Sequence, residues 1–199
     1  MRARIAVFIS SVLLLALVGA GPARASLVLA LDLQTMVTRS DHVAVVDVAS
    51  VKSDWDAQHE QILTTIDLVV VESWKGSEAA GTHFTVVQPG GTVGELTQVV
   101  HGMTHFVPGE RAVIFLSGRA DHAHVVGMAQ GKRLVRRDAS SGRFVVHAPD
   151  KAGATFIRTT PASNTSPVFE TRVRPIEELR ADVRSLAAKP GTPPTGGTR

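Results

Sequence analysis

Cysteine is absent from the 199 residues. That excludes a disulfide-stapled scaffold, a Cys-ligated zinc ribbon, a cysteine nucleophile and acylation at an N-terminal cysteine. Aromatic residues are scarce, at 5% with two tryptophans, so large anchoring side chains are confined to a few positions. A basic surplus is missing as well. The formal net charge of +3 comes from 21 Lys+Arg against 18 Asp+Glu, but Arg2, Arg4 and Arg24 all stand in the first 25 residues, which contain no acid. The remainder is balanced in charge, which argues against a nucleic-acid partner, whose phosphates demand neutralising cations. What is present is a 44% share of hydrophobic residues, enough to build a core and to exclude a fully disordered chain.

The N-terminus carries the sharpest signal. Met1-Arg2-Ala3-Arg4 is a positive stretch, Ile5 to Ala20 is apolar apart from Ser10 and Ser11, and Gly21-Pro22 breaks the run before Ala23-Arg24-Ala25. This is the pattern of a secretory signal peptide over residues 1–25, cleaved between Ala25 and Ser26. The apolar run, about 16 residues, is shorter than the roughly 20 that span a bilayer. The expectation is an exported protein, periplasmic or extracellular, with no stable membrane span after cleavage.

Residues 26–189 of the mature chain read as a single β-rich domain. Leu33, Met36 and Val37 follow Asp32, a candidate N-cap, and predict a short helix over about Asp32 to Thr38. Strand signals then recur at intervals of roughly ten residues: His42 to Val51, Ile62 to Val71, His83 to Gln88, a weaker Gly94 to Val100, the fully apolar Ala112 to Leu116, His124 to Met128, Arg133 to Arg137 and Arg143 to His147. Residues 148–167, rich in Pro, Ser, Thr, Ala and Gly, predict an irregular loop. Pro175 opens a helix over 175–188 whose apolar stripe is Ile176, Leu179, Val183 and Leu186. Residues 190–199 predict a disordered tail. The expected fold class is mostly β: a small OB-like barrel or a sandwich of about six to eight strands, with a short N-terminal helix and a C-terminal helix.

Ser40-Asp41-His42-Val43-Ala44-Val45-Val46, Thr64-Thr65, Glu72-Ser73-Trp74-Lys75-Gly76 and Gly90-Gly91-Thr92-Val93-Gly94 follow one another in order. Gly102-Met103-Thr104-His105-Phe106-Val107-Pro108-Gly109-Glu110, Ile114-Phe115-Leu116 and Gln130-Gly131-Lys132 continue the series. Over about residues 27–138 this order resembles an uncharacterised family of exported bacterial β-rich proteins, which usually show Gly where this chain has Asp47. The resemblance implies no activity and no catalytic residue. By their chemistry the motifs read as structural: Gly90, Gly91, Gly94, Gly102 and Gly109 suit turns with positive φ, and Glu110 is placed to accept from the free amides of a turn.

Three groups of residues could carry chemistry. His101 and His105 have the i, i+4 spacing of a helical zinc pair, but Gly102 stands where a metalloprotease has its glutamate and Pro108 opposes a helix. His122 and His124 fall on one face of a strand beside Asp121, a second candidate metal set. Trp55 and Trp74 are candidate binding anchors, or else close the ends of a barrel. No catalytic residue and no cofactor is assigned. The first functional reading is therefore an exported, non-catalytic β-domain, a binding or interaction module for a protein, peptide or envelope component. The alternatives are a metal-binding protein or metal-dependent hydrolase using the His pairs, and a structural or inhibitor-like protein.

Overall fold

The computed structural model describes residues 27–149, 155–157 and 173–189. The predicted signal peptide 1–25, the predicted tail 190–199 and most of the predicted loop 148–167 lie outside the described residues.

Twelve strands and two α-helices are described, with one 3₁₀ turn at Met128–Gly131. Helix α1 spans Leu33–Arg39, and the Asp32 carboxylate caps it by accepting from the Thr35 amide at 2.6 Å. At its other end Lys75 Nζ donates to the carbonyls of Val37 and Ser40 at 2.7 and 2.5 Å. That is where a helix leaves carbonyls unpaired and favours a cation. The Lys75-Gly76 motif thus ties the end of one long strand to the helix.

Strands β2 (His42–Trp55) and β3 (Ile62–Lys75) form an antiparallel hairpin of 14 residues on each side. Its register slips between Val43 and Ala44, between Val45 and Val46, and between Val48 and Ser50. Such bulges add twist and bend, so this hairpin coils. Asp47 sits among the slips and is held by a bidentate ion pair to Arg111, with both contacts at 2.7 Å. Hydrogen bonding to that guanidinium lowers the Asp47 carboxyl below the usual carboxylate range.

The main sheet runs β12 (Arg174–Pro175), β10 (Phe144–Val146), β9 (Lys132–Arg137), β7 (Arg111–Arg119), β2, β3, β4 (His83–Pro89), β8 (His122–Val125). Two small pairs flank it: β1 (Leu27–Leu29) with β11 (Thr155–Ile157), parallel, and the hairpin of β5 (Gly91–Val93) and β6 (Leu96–Gln98). The expected barrel is corrected here. One edge of β7 pairs with β2; the other is divided, Ala112 to Ile114 pairing with β9 and Leu116 to Arg119 with β8. The sheet forks at β7; β8 leads back from β7 towards β4 but meets it through the single parallel pair Val86↔Ala123, so no continuous barrel wall is formed. Beyond the fork β9, β10 and β12 continue outward. The eight strands also form one sheet, not the two of a sandwich.

Alternation along β7 divides the core in two. Val113 and Phe115 face the helices, in a cluster with Met36, Val37, Trp74, Val135, Leu179 and Val183. Ala112, Ile114 and Leu116 face into the coil, where Ile114 and Leu116 pack with Val46, Ile66, Leu68, Phe84 and Phe106. Helix α2 (Ile176–Ala188) covers the first cluster with the expected stripe of Ile176, Leu179 and Val183, Leu186 packing at its edge. Burial on both faces explains why Ala112 to Leu116 reads as an unbroken apolar run.

Gln130, 1% exposed, is a polar clamp. It accepts from the Leu31 amide at 2.9 Å and donates to the carbonyls of Leu29 and Gly127 at 2.9 and 3.2 Å. The Gln130-Gly131-Lys132 motif therefore anchors the segment that leads into α1.

Candidate functional site: two clefts that meet at Thr104 and His105

The chain between β6 and β7 crosses the open end of the coil and leaves a cleft on each side. The first cleft, about 470 Å³, lies under the β5–β6 hairpin. Its floor is Val51, Ile66, Met103 and Phe106, and its rim is Ser53, Thr64, Gln88, Gly91, Thr92 and Gln98. Apart from His105 no titratable side chain lines it.

The polar rim is built by mutual hydrogen bonds. Ser53 Oγ and Thr64 Oγ1 are 2.8 Å apart, and Thr64 Oγ1 donates to the Gly90 carbonyl at 2.5 Å. Gln88 Nε2 donates to the Thr104 carbonyl at 2.7 Å, while Gln98 Oε1 accepts from the Ile62 amide, also at 2.7 Å. Gly91 is required by this packing. Its φ of +134° is a glycine conformation, and a Cβ there would collide with the hydroxyls of Ser53 and Thr64. The five glycines singled out in the sequence, at 90, 91, 94, 102 and 109, all have positive φ.

The second cleft, about 490 Å³, opens at the fork, between the Thr104–Glu110 segment and strand β9. Thr104, His105, Val107, Glu110, Lys132, Leu134, Arg136 and His147 line it, with Ala129 and Ala148. Its inner wall is an enclosed ion pair between Lys132 and Glu110, whose side chains are 11% and 14% exposed. Glu110 Oε1 also accepts from the Val107 amide at 2.9 Å, as expected of an acid beside a turn. Lys132 Nζ donates to the His105 carbonyl at 2.5 Å and lies 4.9 Å from the centre of the Phe106 ring.

Thr104 and His105 line both clefts. Thr104 is 3% exposed, yet its hydroxyl has no hydrogen-bond partner. A buried hydroxyl left unpaired is costly and uncommon, so its position at the junction singles this point out.

The residues marked in the sequence are not gathered here. Trp74 is 5% exposed, packed in the helix-side cluster with the Arg180 guanidinium 5.8 Å from its ring. The expectation of an exposed anchor at Trp74 is thus corrected: bulges and α2 bury that end of the hairpin. Trp55 is half-buried at the far end of β2 and stacks on His59, with ring centroids 6.3 Å apart. Neither tryptophan lines a cleft.

His122 and His124 do share a face of β8, their rings edge to face at 4.9 Å, but both are exposed. Their neighbour Asp121 is bonded instead by Arg119 at 3.2 Å, which lowers its carboxyl below the usual range. His101 and His105 stand in non-helical chain, so their spacing does not align two imidazoles on one helical face. Among the described residues no group of three or more His, Cys, Asp or Glu is placed to hold a metal ion, which argues against the metal-binding alternative. Of the sequence candidates only His105 belongs to the clefts.

Gln88, Gln98, Thr104, Arg136 and His147 were not among the functional candidates read from the sequence. The signal for Arg136 was available in the alternation Lys132, Leu134, Arg136 along β9. For Thr104 there was none, because its significance lies in a hydroxyl that finds no partner. No protein-family model, curated protein or solved structure matches the chain.

Proposed function

We propose that this is an exported, non-catalytic binding module whose ligand cleft is the one under the β5–β6 hairpin. The observation that carries the reading is the chemistry of that cleft: an apolar floor rimmed by neutral hydrogen-bonding groups, with an unpaired hydroxyl at its inner end. Apolar walls with a few placed polar groups are the general form of a ligand site, and the volume falls within the usual range. Ser53 and Thr64 are engaged with each other and with a carbonyl, not with an imidazole or carboxylate that would activate them. That supports binding over nucleophilic catalysis.

The lip of the cleft favours a peptide or protein ligand. Leu96 and Val99 are 61% and 70% exposed, an apolar edge beside neutral donors and acceptors of the sort that peptide segments cover. Export rests on the N-terminal charge and apolar pattern, and the balanced charge of the remainder disfavours nucleic acid. No helix among the described residues is long and apolar enough to cross a membrane.

Thr92→Trp tests the assignment. Thr92 is exposed on the rim, so an indole there should fill the cleft with a stability change within about 0.5 kcal/mol. Parent and variant are used to capture partners from an envelope extract. A component retained by the parent and lost from the variant is the expected result. Equal retention by both would place the ligand elsewhere.

A further inference from the structure

We propose that the second cleft, at the fork of the sheet, is an oxyanion site that takes the carboxylate or phosphate group of a small ligand. The period of two along β9 puts Lys132, Leu134 and Arg136 on one face. Just past the end of β10 stands His147, whose amide donates to the Leu134 carbonyl at 2.9 Å. His105 stands on the opposite wall. Two permanent cations and two histidines thus line a cleft that holds one carboxylate, Glu110.

That carboxylate is already committed to Lys132 and to the Val107 amide. Arg136 is left over. The guanidiniums of Arg111, Arg119, Arg180 and Arg184 each meet an acid. Among the described residues no carboxylate pairs with Arg136, although it borders a concave site. A guanidinium presents donors in a fork matched to two oxygens. Lys132 uses two of its three N–H groups, on the His105 carbonyl and on Glu110, and the third remains. Leu134 and Val107 add apolar surface to the same cleft.

Carboxylate and phosphate offer the same oxygens to this fork, and separate arms of one experiment tell them apart. The purified protein is titrated with inorganic phosphate, then with acetate, at constant ionic strength held with chloride, and backbone amide shifts are followed by NMR. Saturable shifts confined to Lys132 through Arg136, His147 and His105 are expected in at least one arm. Saturation with phosphate alone identifies a phosphate site, and saturation with both a general oxyanion site. Arg136 is exposed, so Arg136→Gln should fold normally and weaken binding by at least about fivefold, the loss of a charge-assisted hydrogen bond. Thr92→Trp should leave anion binding unchanged, because the fork does not depend on what fills the neutral cleft. Shifts that never saturate, that appear equally at Arg39, or that persist unchanged in Arg136→Gln would overturn the assignment.

Discussion

The two clefts share Thr104 and His105 but treat polar groups in opposite ways. Under the β5–β6 hairpin the polar side chains are neutral and mostly satisfy one another, so the cleft keeps its shape without a ligand. At the fork the groups are charged and incompletely paired, with Arg136 and one proton of Lys132 in excess over Glu110. One side therefore offers shape and neutral hydrogen bonds, and the other offers charge. The difference follows from topology. The neutral cleft is walled by the coiled hairpin, whose strand β3 is paired on both edges. The basic one lies where β7 gives half an edge to β9 and the sheet opens.

The contrast breaks most severely at the enclosed ion pair. Glu110→Ala would leave the Lys132 ammonium, 11% exposed on its side chain, without its carboxylate and the Val107 amide without its acceptor. Removing one partner of a buried pair typically costs about 3–5 kcal/mol, and the slight exposure here points to the lower end. A chemical denaturation midpoint shows whether the loss occurs; an unchanged midpoint would mean that Glu110 is not structural.

A smaller and opposite effect is expected at the junction. Thr104→Val keeps the shape and removes a buried hydroxyl that has no partner. Stability should stay the same or rise by up to about 1 kcal/mol, while retention of the ligand by the neutral cleft should fall. A loss of stability on thermal unfolding would show that the hydroxyl is bonded in solution and is not reserved for a ligand.

The smallest effect lies in the turn between β9 and β10. Asp138 accepts from Ser140 Oγ, Ser141 Oγ and the Ser141 amide at 2.6 to 2.7 Å. These bonds to its carboxylate lower the pKa to about 2. A depressed carboxyl contributes stability that is present above the ordinary carboxylate value, about 3.9, and is lost as pH falls through the folded value. Asp138→Asn should therefore be slightly less stable than the parent at neutral pH, the difference vanishing near pH 2. Titration of the Asp138 side chain by NMR checks the shift, and a midpoint near the ordinary value would contradict it.

Much of the fold was legible because local chemistry and burial agreed. Asp32 reads as an N-cap and caps α1. The unbroken Ala112 to Leu116 run is covered on both faces, and the stripe on α2 packs as its spacing demands. The short strands β1, β5, β11 and β12 were not legible. Two or three residues carry no periodicity, and long-range pairing alone defines them. The fork was hidden for a related reason: alternation along β7 says which side chains are buried but not which strand takes each half of its edge. That is also why a barrel was expected. The site was the least legible part. Histidine spacing drew attention to pairs that prove exposed or separately placed. The cleft residues are spread over β2, β3, β4 and the β6–β7 connection, and only the coil of the hairpin assembles them.

The central claim is that ligand binding is organised around Thr104 and His105. Hydrogen–deuterium exchange of the protein with and without the component captured from envelope extract tests it most directly. Protection should concentrate between Gln88 and Phe106, with β2 near Val51 and Ser53 joining it. Protection confined to the Trp55–His59 end of the long hairpin or to the outer face of α2, with the 88–106 segment unchanged, would contradict the account.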